Sequence, residues 1–210
     1  MPKPTAIVYI DGLNLYRRLV DKVSGDGWVD YWLLATSVLP NFKIVKVRVF
    51  TSTLATEDPT LAEARWQRQV QLQPELSIHV GRIKKTTRLY PLTASQVVTD
   101  EKNAVKVLKY EEKGSDVELG SRMVLDATRN LADVYLLMSS DTDFAPTLKI
   151  LKIELGVQIG VLATTDNFPK LFSNLEPNVI RHVKAKHVIE ASVKKSEPLI
   201  SQGLSGQSPQ

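Results

Sequence analysis

Two short stretches of the chain carry carboxylates immediately after apolar runs. Ala6-Ile7-Val8-Tyr9-Ile10 leads into Asp11-Gly12-Leu13-Asn14, and Val134-Tyr135-Leu136-Leu137-Met138 leads through Ser139 and Ser140 into Asp141-Thr142-Asp143. Each run reads as a buried strand, and each is followed by a helical pattern. In an open parallel sheet, ligands bind where strands end and helices begin. Carboxylates that converge there repel one another unless a cation lies between them. Mg²⁺ and Mn²⁺ take oxygen ligands, commonly one or two carboxylates with water and phosphate oxygens completing the shell. Asp11, Asp116, Asp141 and Asp143 are therefore the candidate metal ligands, and the chemistry they suit is metal-assisted attack on a phosphate ester. Asn14, one helical turn beyond Asp11, offers a neutral polar group to a water or a phosphate. Ser139 and Ser140 offer hydroxyls to the substrate.

The elements that must position these residues alternate along the chain. Strands are expected at 5–10, 43–51, 76–80, 133–138 and 157–162, with a sixth at 179–183. Helices are expected at 14–22, 30–39, 58–73, 115–129 and 143–155, with short ones at 168–175 and 188–194. Ser24-Gly25-Asp26-Gly27 reads as a turn, Pro59 suits a first helical turn, and Gly156 reads as a helix C-cap. Such alternation predicts an α/β fold, a parallel sheet with helices on both faces. The runs at 5–10 and 133–138 are continuously apolar, as strands covered on both faces are. Those at 43–51 and 76–80 alternate, as less covered strands do. With the five principal strands numbered in chain order, the order 3-2-1-4-5 puts the continuous runs at the centre. Strands 1 and 4 then meet at the topological switch point. The helix from Ser115, crossing between strands 3 and 4, brings Asp116 to the same edge. From Gly81 to about Glu112 the pattern is irregular, as an extra hairpin or a flexible flap would be. Residues 196–210, rich in Ser, Gln, Gly and Pro, read as a disordered tail behind a domain at 1–195.

Composition narrows the classes. The chain has no cysteine, which excludes disulfides and cysteine-based zinc sites and suits a reducing cytosol. No apolar run approaches the roughly 18 residues of a membrane span, and no secretory h-region opens the chain. A cytoplasmic protein without a membrane partner is expected, with self-association left open. The net charge of +4 is local: Arg82 to Lys113 holds eight Lys/Arg against four Asp/Glu, and the remainder is balanced. A basic flank beside Asp116 is what a polyanionic substrate requires. Arg82, Lys84, Lys85, Arg88 and Lys113 are thus candidate substrate contacts, although a solvated surface loop has the same composition. Each acid alone also has a structural role available: Asp11 in an Asp-Gly turn, Asp116 and Asp141 as helix caps. Their convergence on one edge is what singles them out. No GxxxxGK[ST], GxGxxG or GxSxG motif occurs, and His79, His182 and His187 lack metal-ligand spacing. Trp28, Trp32 and Trp66 read as packing residues rather than base-stacking ones.

At these residues the chain resembles the NYN-domain proteins of the PIN-like nuclease superfamily. The matching pieces are Tyr9-Ile10-Asp11-Gly12-Leu13-Asn14-Leu15-Tyr16, Glu112-Lys113-Gly114-Ser115-Asp116-Val117 and Ser139-Ser140-Asp141-Thr142-Asp143-Phe144. The resemblance spans about residues 5–190. It implies a PIN-like three-layer sandwich of strand order 3-2-1-4-5 and a Mg²⁺- or Mn²⁺-dependent ribonuclease site. In that site Asp11, Asp116, Asp141 and Asp143 take the acidic roles, Asn14 takes the polar one, and RNA is the partner. There is a departure: many relatives carry another acid six residues beyond the Asp116 position, where this chain has Arg122. Arg122 is expected to contact substrate or neutralise an acid, and it favours a rival reading, an RNA-binding regulatory module that has lost turnover. A further rival is a phosphatase of the haloacid-dehalogenase type, from the Asp-x-Asp spacing of Asp141 and Asp143. That pair normally follows the first strand rather than the fourth, and Ala145 stands where that family has Thr or Val.

Overall fold

The computed structural model describes residues 2–23, 28–53, 59–91 and 104–192. The expected turn at 24–27, the helix start at Asp58 and the tail at 196–210 lie outside the described residues. The strands are β1 (Thr5–Asp11), β2 (Lys43–Thr51), β3 (Leu76–Val80), β4 (Arg82–Pro91), β5 (Ala104–Lys113), β6 (Val134–Met138), β7 (Gln158–Ala163) and β8 (Val179–His182). Six of them form one sheet in the order β3-β2-β1-β6-β7-β8, every pairing parallel. The expected order 3-2-1-4-5 is corrected in two respects. The basic stretch, expected as an extra hairpin or a flap, gives in its described residues β4 and β5, which pair antiparallel over ten residues as a separate ribbon and renumber the strands that follow. The segment at 179–182 is a true edge strand, so the sheet has one more member than the central order supposed.

Helices cover both faces. After β1 the chain coils at once through α1 (Gly12–Leu15), a π turn (Tyr16–Val20) and α2 (Asp21–Val23). Then come α3 (Tyr31–Val38), α4 (Pro59–Leu72) and α5 (Ser115–Thr128). Beyond β6 a 3₁₀ turn (Thr142–Phe144) opens α6 (Ala145–Lys149), which ends in a second π turn (Ile150–Glu154). The short α7 (Lys170–Ser173) and α8 (Ala185–Ala191) complete the set. Among the described residues no helix is long and apolar enough to cross a membrane.

Alternate residues of β1 serve two cores, which is why its sequence is apolar throughout. Ala6, Val8 and Ile10 pack with Leu15, Leu34, Val38 and Val188 on one face. Ile7 and Tyr9 pack with Leu119, Met123, Phe144 and Leu148 on the other. Trp28 and Trp66 form a small satellite cluster with Ala62, the Arg65 guanidinium lying 4.1 Å over the Trp28 ring.

The second core contains a charge. Asp126, near the end of α5, is 1 % exposed; it accepts from the Tyr9 hydroxyl at 2.8 Å and from Arg48 Nε and Nη2 at 2.7 and 3.0 Å. Burial, and then Asp126 itself, pushes the Tyr9 phenol upward, so it remains a donor. The alternation of β2 that reads as a less covered face is therefore partly a buried ion pair. It pins α5 to the sheet and so fixes where the helix start lies. Removing one partner of such a pair leaves the other charge uncompensated. Asp126→Ala is expected to cost about 3–5 kcal/mol, read as a lowered urea midpoint.

Candidate active site

The C-terminal ends of β1, β6 and β7 are stitched together by side chains. Asp11, the last residue of β1, caps α1: its Oδ1 accepts from the Asn14 N–H at 3.0 Å. Its Oδ2 accepts from the Ser139 hydroxyl at 2.9 Å, and Ser139 Oγ in turn accepts from the Asp141 N–H at 3.0 Å. Asp141 caps the 3₁₀ turn by accepting from the Asp143 N–H at 3.0 Å. Asn14 Oδ1 accepts from the Ser140 N–H at 3.3 Å and from the Thr164 hydroxyl at 2.6 Å. Ser140 Oγ accepts from the Thr164 N–H at 2.9 Å and the Thr165 hydroxyl at 3.0 Å. Gly12 allows this crowding, because a Cβ there would sit 2.7 Å from Thr51 Cβ.

Asp116 arrives from α5. Gly114 turns the chain into that helix with φ of 101°, a left-handed conformation that favours glycine. The Glu112 carboxylate then folds back to accept from the Ser115 N–H at 3.0 Å. Gly81, where the ribbon begins, must lack a side chain for this: a Cβ there would collide with Glu112 Oε1 and Ser115 Oγ. The result is a cleft of about 580 Å³ lined by Asp11, Asn14, Asp116, Asp141 and Glu112. Arg17, Arg18 and Lys22 from the helix after β1, with Lys109 and Lys113 from the ribbon, line the same cleft.

The acids act on one another. Burial pushes the Asp11 carboxyl up to about 6, and the nearby Asp116 and Asp141 push the same way against the bonds from Asn14 and Ser139. Asp116 is also raised, first by burial and then by Glu112, Asp141 and Asp143. Among the described residues no three His, Asp or Glu side chains are gathered closely enough to hold a metal ion by themselves. The donors present are all oxygens, the chemistry a hard cation such as Mg²⁺ takes. Ser115, in the cleft wall, keeps its Oγ buried and without a hydrogen-bond partner among the described residues.

The sequence-derived candidates separate into groups. Asp11, Asn14, Asp116, Asp141 and Lys113 line the cleft. Asp143 instead lines the adjoining apolar groove between α5 and α6, which Asp116 also borders. Ser139 is fully buried and bonded on both sides, so it positions Asp11 and Asp141 rather than reaching a substrate. Ser140 is likewise engaged with Asn14, Thr164 and Thr165. Arg122 turns to Glu118 on its own helix at 3.8 Å, and Glu118 also meets His79 Nδ1 at 2.9 Å. Arg122 is thus drawn aside from the cleft. Arg82, Lys84 and Arg88 lie along one face of the ribbon, whereas Lys85 lies on the other, 5.8 Å over the Tyr110 ring.

Sequence reasoning passed over Arg17, Arg18, Lys22, Lys109, Glu112, Thr164 and Thr165. Arg17 and Arg18 stand three and four residues beyond Asn14 and hence on its helical face, a legible signal. Thr164 and Thr165 directly follow the apolar run of β7, at the strand-end position that singled out the acids. Glu112 carried no signal of its own, because its place depends on the glycine at position 81.

The raised Asp11 makes metal-free stability pH-dependent. In the unfolded chain the carboxyl ionises near pH 4, while the folded protein retains the proton up to about pH 6. The folded state therefore binds more protons in that window, and stability falls as pH rises through it, then levels off. In EDTA, Asp11→Asn should lose this dependence. Its stability relative to wild type is expected to rise by up to about 3 kcal/mol between about pH 4 and pH 7, measured by urea unfolding.

Comparison with known proteins bears on the fold and on the family. A solved structure of a protein of unknown function from Vibrio parahaemolyticus superposes with a TM-score of 0.54 at 11% identity, covering 87% of this chain and 94% of that one. That likeness shows the fold. A Pseudomonas putida protein named 6-hydroxy-3-succinoylpyridine 3-monooxygenase is 25% identical over 86% of this chain, which spans 66% of that relative's length. The NYN domain model matches residues 5–183, including both strand ends and the start of α5. The chain belongs to the NYN-domain family of PIN-like nucleases.

Proposed function

We propose that the protein is a metal-dependent endoribonuclease that hydrolyses RNA phosphodiester bonds in the cleft at the ends of β1 and β6. One observation carries this reading. Asp11, Asp116 and Asp141 share a cleft with cationic side chains from the helix after β1 and from the ribbon. Acids at the centre suit a cation, and bases around them suit the phosphates of a polyanion.

Asp11, Asp116 and Asp141 would hold the ion, Mg²⁺ or Mn²⁺, in part through its waters, with Asp143 adding negative charge near Asp116. When bound, such an ion supplies charge that stabilises the phosphoryl oxygens and acidifies a water. Asn14 has its carbonyl oxygen occupied by Ser140 and Thr164, which leaves its amide N–H groups to orient a water or a phosphate oxygen. Arg17, Arg18, Lys22, Lys109 and Lys113 bind the flanking phosphates. In-line attack by water with departure of the 3′-oxygen leaves a 5′-phosphate and a 3′-hydroxyl.

A second reading, an RNA-binding module without turnover, is favoured by Arg122 standing where many relatives have an acid. It predicts salt-dependent RNA binding with no metal-dependent cleavage. Incubation of a panel of RNAs with Mg²⁺ or Mn²⁺ separates the two, and an uncut panel would reject the nuclease.

Asp141→Asn should abolish cleavage while RNA binding in EDTA stays level or tightens. Asparagine keeps the cap to the Asp143 N–H, so the fold survives. What is lost is one negative charge facing the cation and the phosphate. Wild-type cleavage rates with metal and RNA saturating would remove Asp141 from the chemistry.

A further inference from the structure

The β4–β5 ribbon has two chemically different faces. Among the described residues its two strands pair with no other strand, and most of their residues are exposed. A lone two-stranded ribbon is marginal in water unless something packs against it. Opposed residues of an antiparallel pair share a face. By the register, one face carries Arg82 with Lys113, Lys84 with Glu111, Thr86 with Lys109, and Arg88 with Val107. That is five cations to one carboxylate. The other face carries Ile83 with Glu112, Lys85 with Tyr110, Thr87 with Leu108, and Leu89 with Lys106. There the cations number two, among apolar side chains.

The single acid of the basic face organises its neighbours. Glu111 pairs with Lys109 at 2.7 Å, Lys113 at 3.1 Å and Arg88 at 3.3 Å. The three cations are thereby held in one row instead of splaying apart. The row reaches the cleft through Lys109, Glu111 and Lys113, whereas the other face reaches it through Tyr110 and Glu112, which bring no cation. With a rise of about 3.3 Å per residue, the charged part of this face, Arg82 to Arg88, extends about 20 Å, and Tyr90 opposite Val105 continues the same face beyond it. It is a one-sided row of positive charge that starts beside the carboxylates and runs outward.

We infer that the Arg82/Lys84/Arg88/Lys109/Lys113 face of the ribbon is the docking surface for the RNA backbone on one side of the cut, and that the Lys85/Lys106 face is not. This rests on the reading of the cleft as an RNA site, and it goes further by assigning the affinity to one face. Diffuse attraction to a basic chain would depend only on total charge. A docked backbone depends on which face bears it.

Two double variants with the same change in net charge separate these cases: Lys84→Glu with Arg88→Glu, and Lys85→Glu with Lys106→Glu. Binding is read by fluorescence anisotropy in EDTA, with a fluorescein-labelled RNA about 20 nucleotides long, across a KCl series. The first variant should flatten the slope of log affinity against log salt by about 1.4, two contacts at about 0.7 each, and weaken binding about tenfold or more near 0.1 M salt. The second should change the slope by less than about 0.3. Equal losses from the two variants, or a larger loss from the second, overturn the docking face. The neutral pair Lys84→Gln with Arg88→Gln must show the same face dependence at smaller amplitude. Wild-type cleavage of the same RNA with Mg²⁺ is read alongside. Cleavage with equal losses leaves the nuclease reading standing and removes the docking face. A face-specific loss without cleavage does the reverse.

Discussion

Carboxylates crowded at one edge of a parallel sheet have to be held against their mutual repulsion, and here the holding is done by neutral hydrogen-bond donors. Asp11 accepts from a backbone N–H and from the Ser139 hydroxyl, Ser139 accepts from the Asp141 N–H, and Asp141 accepts from that of Asp143. These bonds fix orientation without neutralising charge. A counter-charge in the same place would stabilise the fold better and would compete with a cation for the acids. The cost shows in Asp11, whose carboxyl is held at about 6 chiefly by burial. The surrounding scaffold tolerates the arrangement because α1, the 3₁₀ turn and α5 each start where an acid stands. Asp11 and Asp141 each cap the turn that follows them. Asp116 instead stands in the first turn of α5, whose N-cap is Gly114, so the cap role expected of it is not filled.

Helix ends govern the second half of the site as well. α5 supplies Asp116 from its first turn and Asp126 from its last, and the two ends obey opposite electrostatics. Asp126 is fully paired, with Arg48 and Tyr9, and it anchors the helix. Asp116 faces other acids. The ribbon adjoins this helix through Glu112, Lys113 and Gly114, so one turn of chain joins a cation-rich face to an acidic centre. Gly81 and Gly114 are the constraints there, one for close approach and one for a left-handed turn.

Much of this is legible in the residues because local rules and tertiary packing agree. Continuous apolar runs marked β1 and β6 as central, and the acids following them marked the edge where the cleft lies. The three signatures that carry the family resemblance are the segments that form the site. What was not legible depended on contacts between distant positions. The charged alternation of β2 suggests exposure, but Arg48 turns inward to a partner 78 residues away. The 81–112 stretch reads as irregular because both faces of a free-standing ribbon are wet, so neither strand shows a buried face. Arg122 reads as a site residue only through the family resemblance, which puts an acid at its position, and in the structure it turns to Glu118, which also meets His79. Ser139 reads as a substrate contact because it adjoins Asp141, while the sheet buries it beneath Asp11.

The proposed chemistry requires a cation at this edge, shared by Asp11, Asp116 and Asp141. A crystal soaked in Mn²⁺ and measured at the manganese absorption edge tests it without reference to any substrate. The account predicts an anomalous peak in the cleft among these three carboxylates, with water completing the shell, and its loss in Asp141→Asn crystals. A clean map in that cleft at saturating Mn²⁺, or a peak that persists unchanged in the Asp141→Asn crystals, would contradict it.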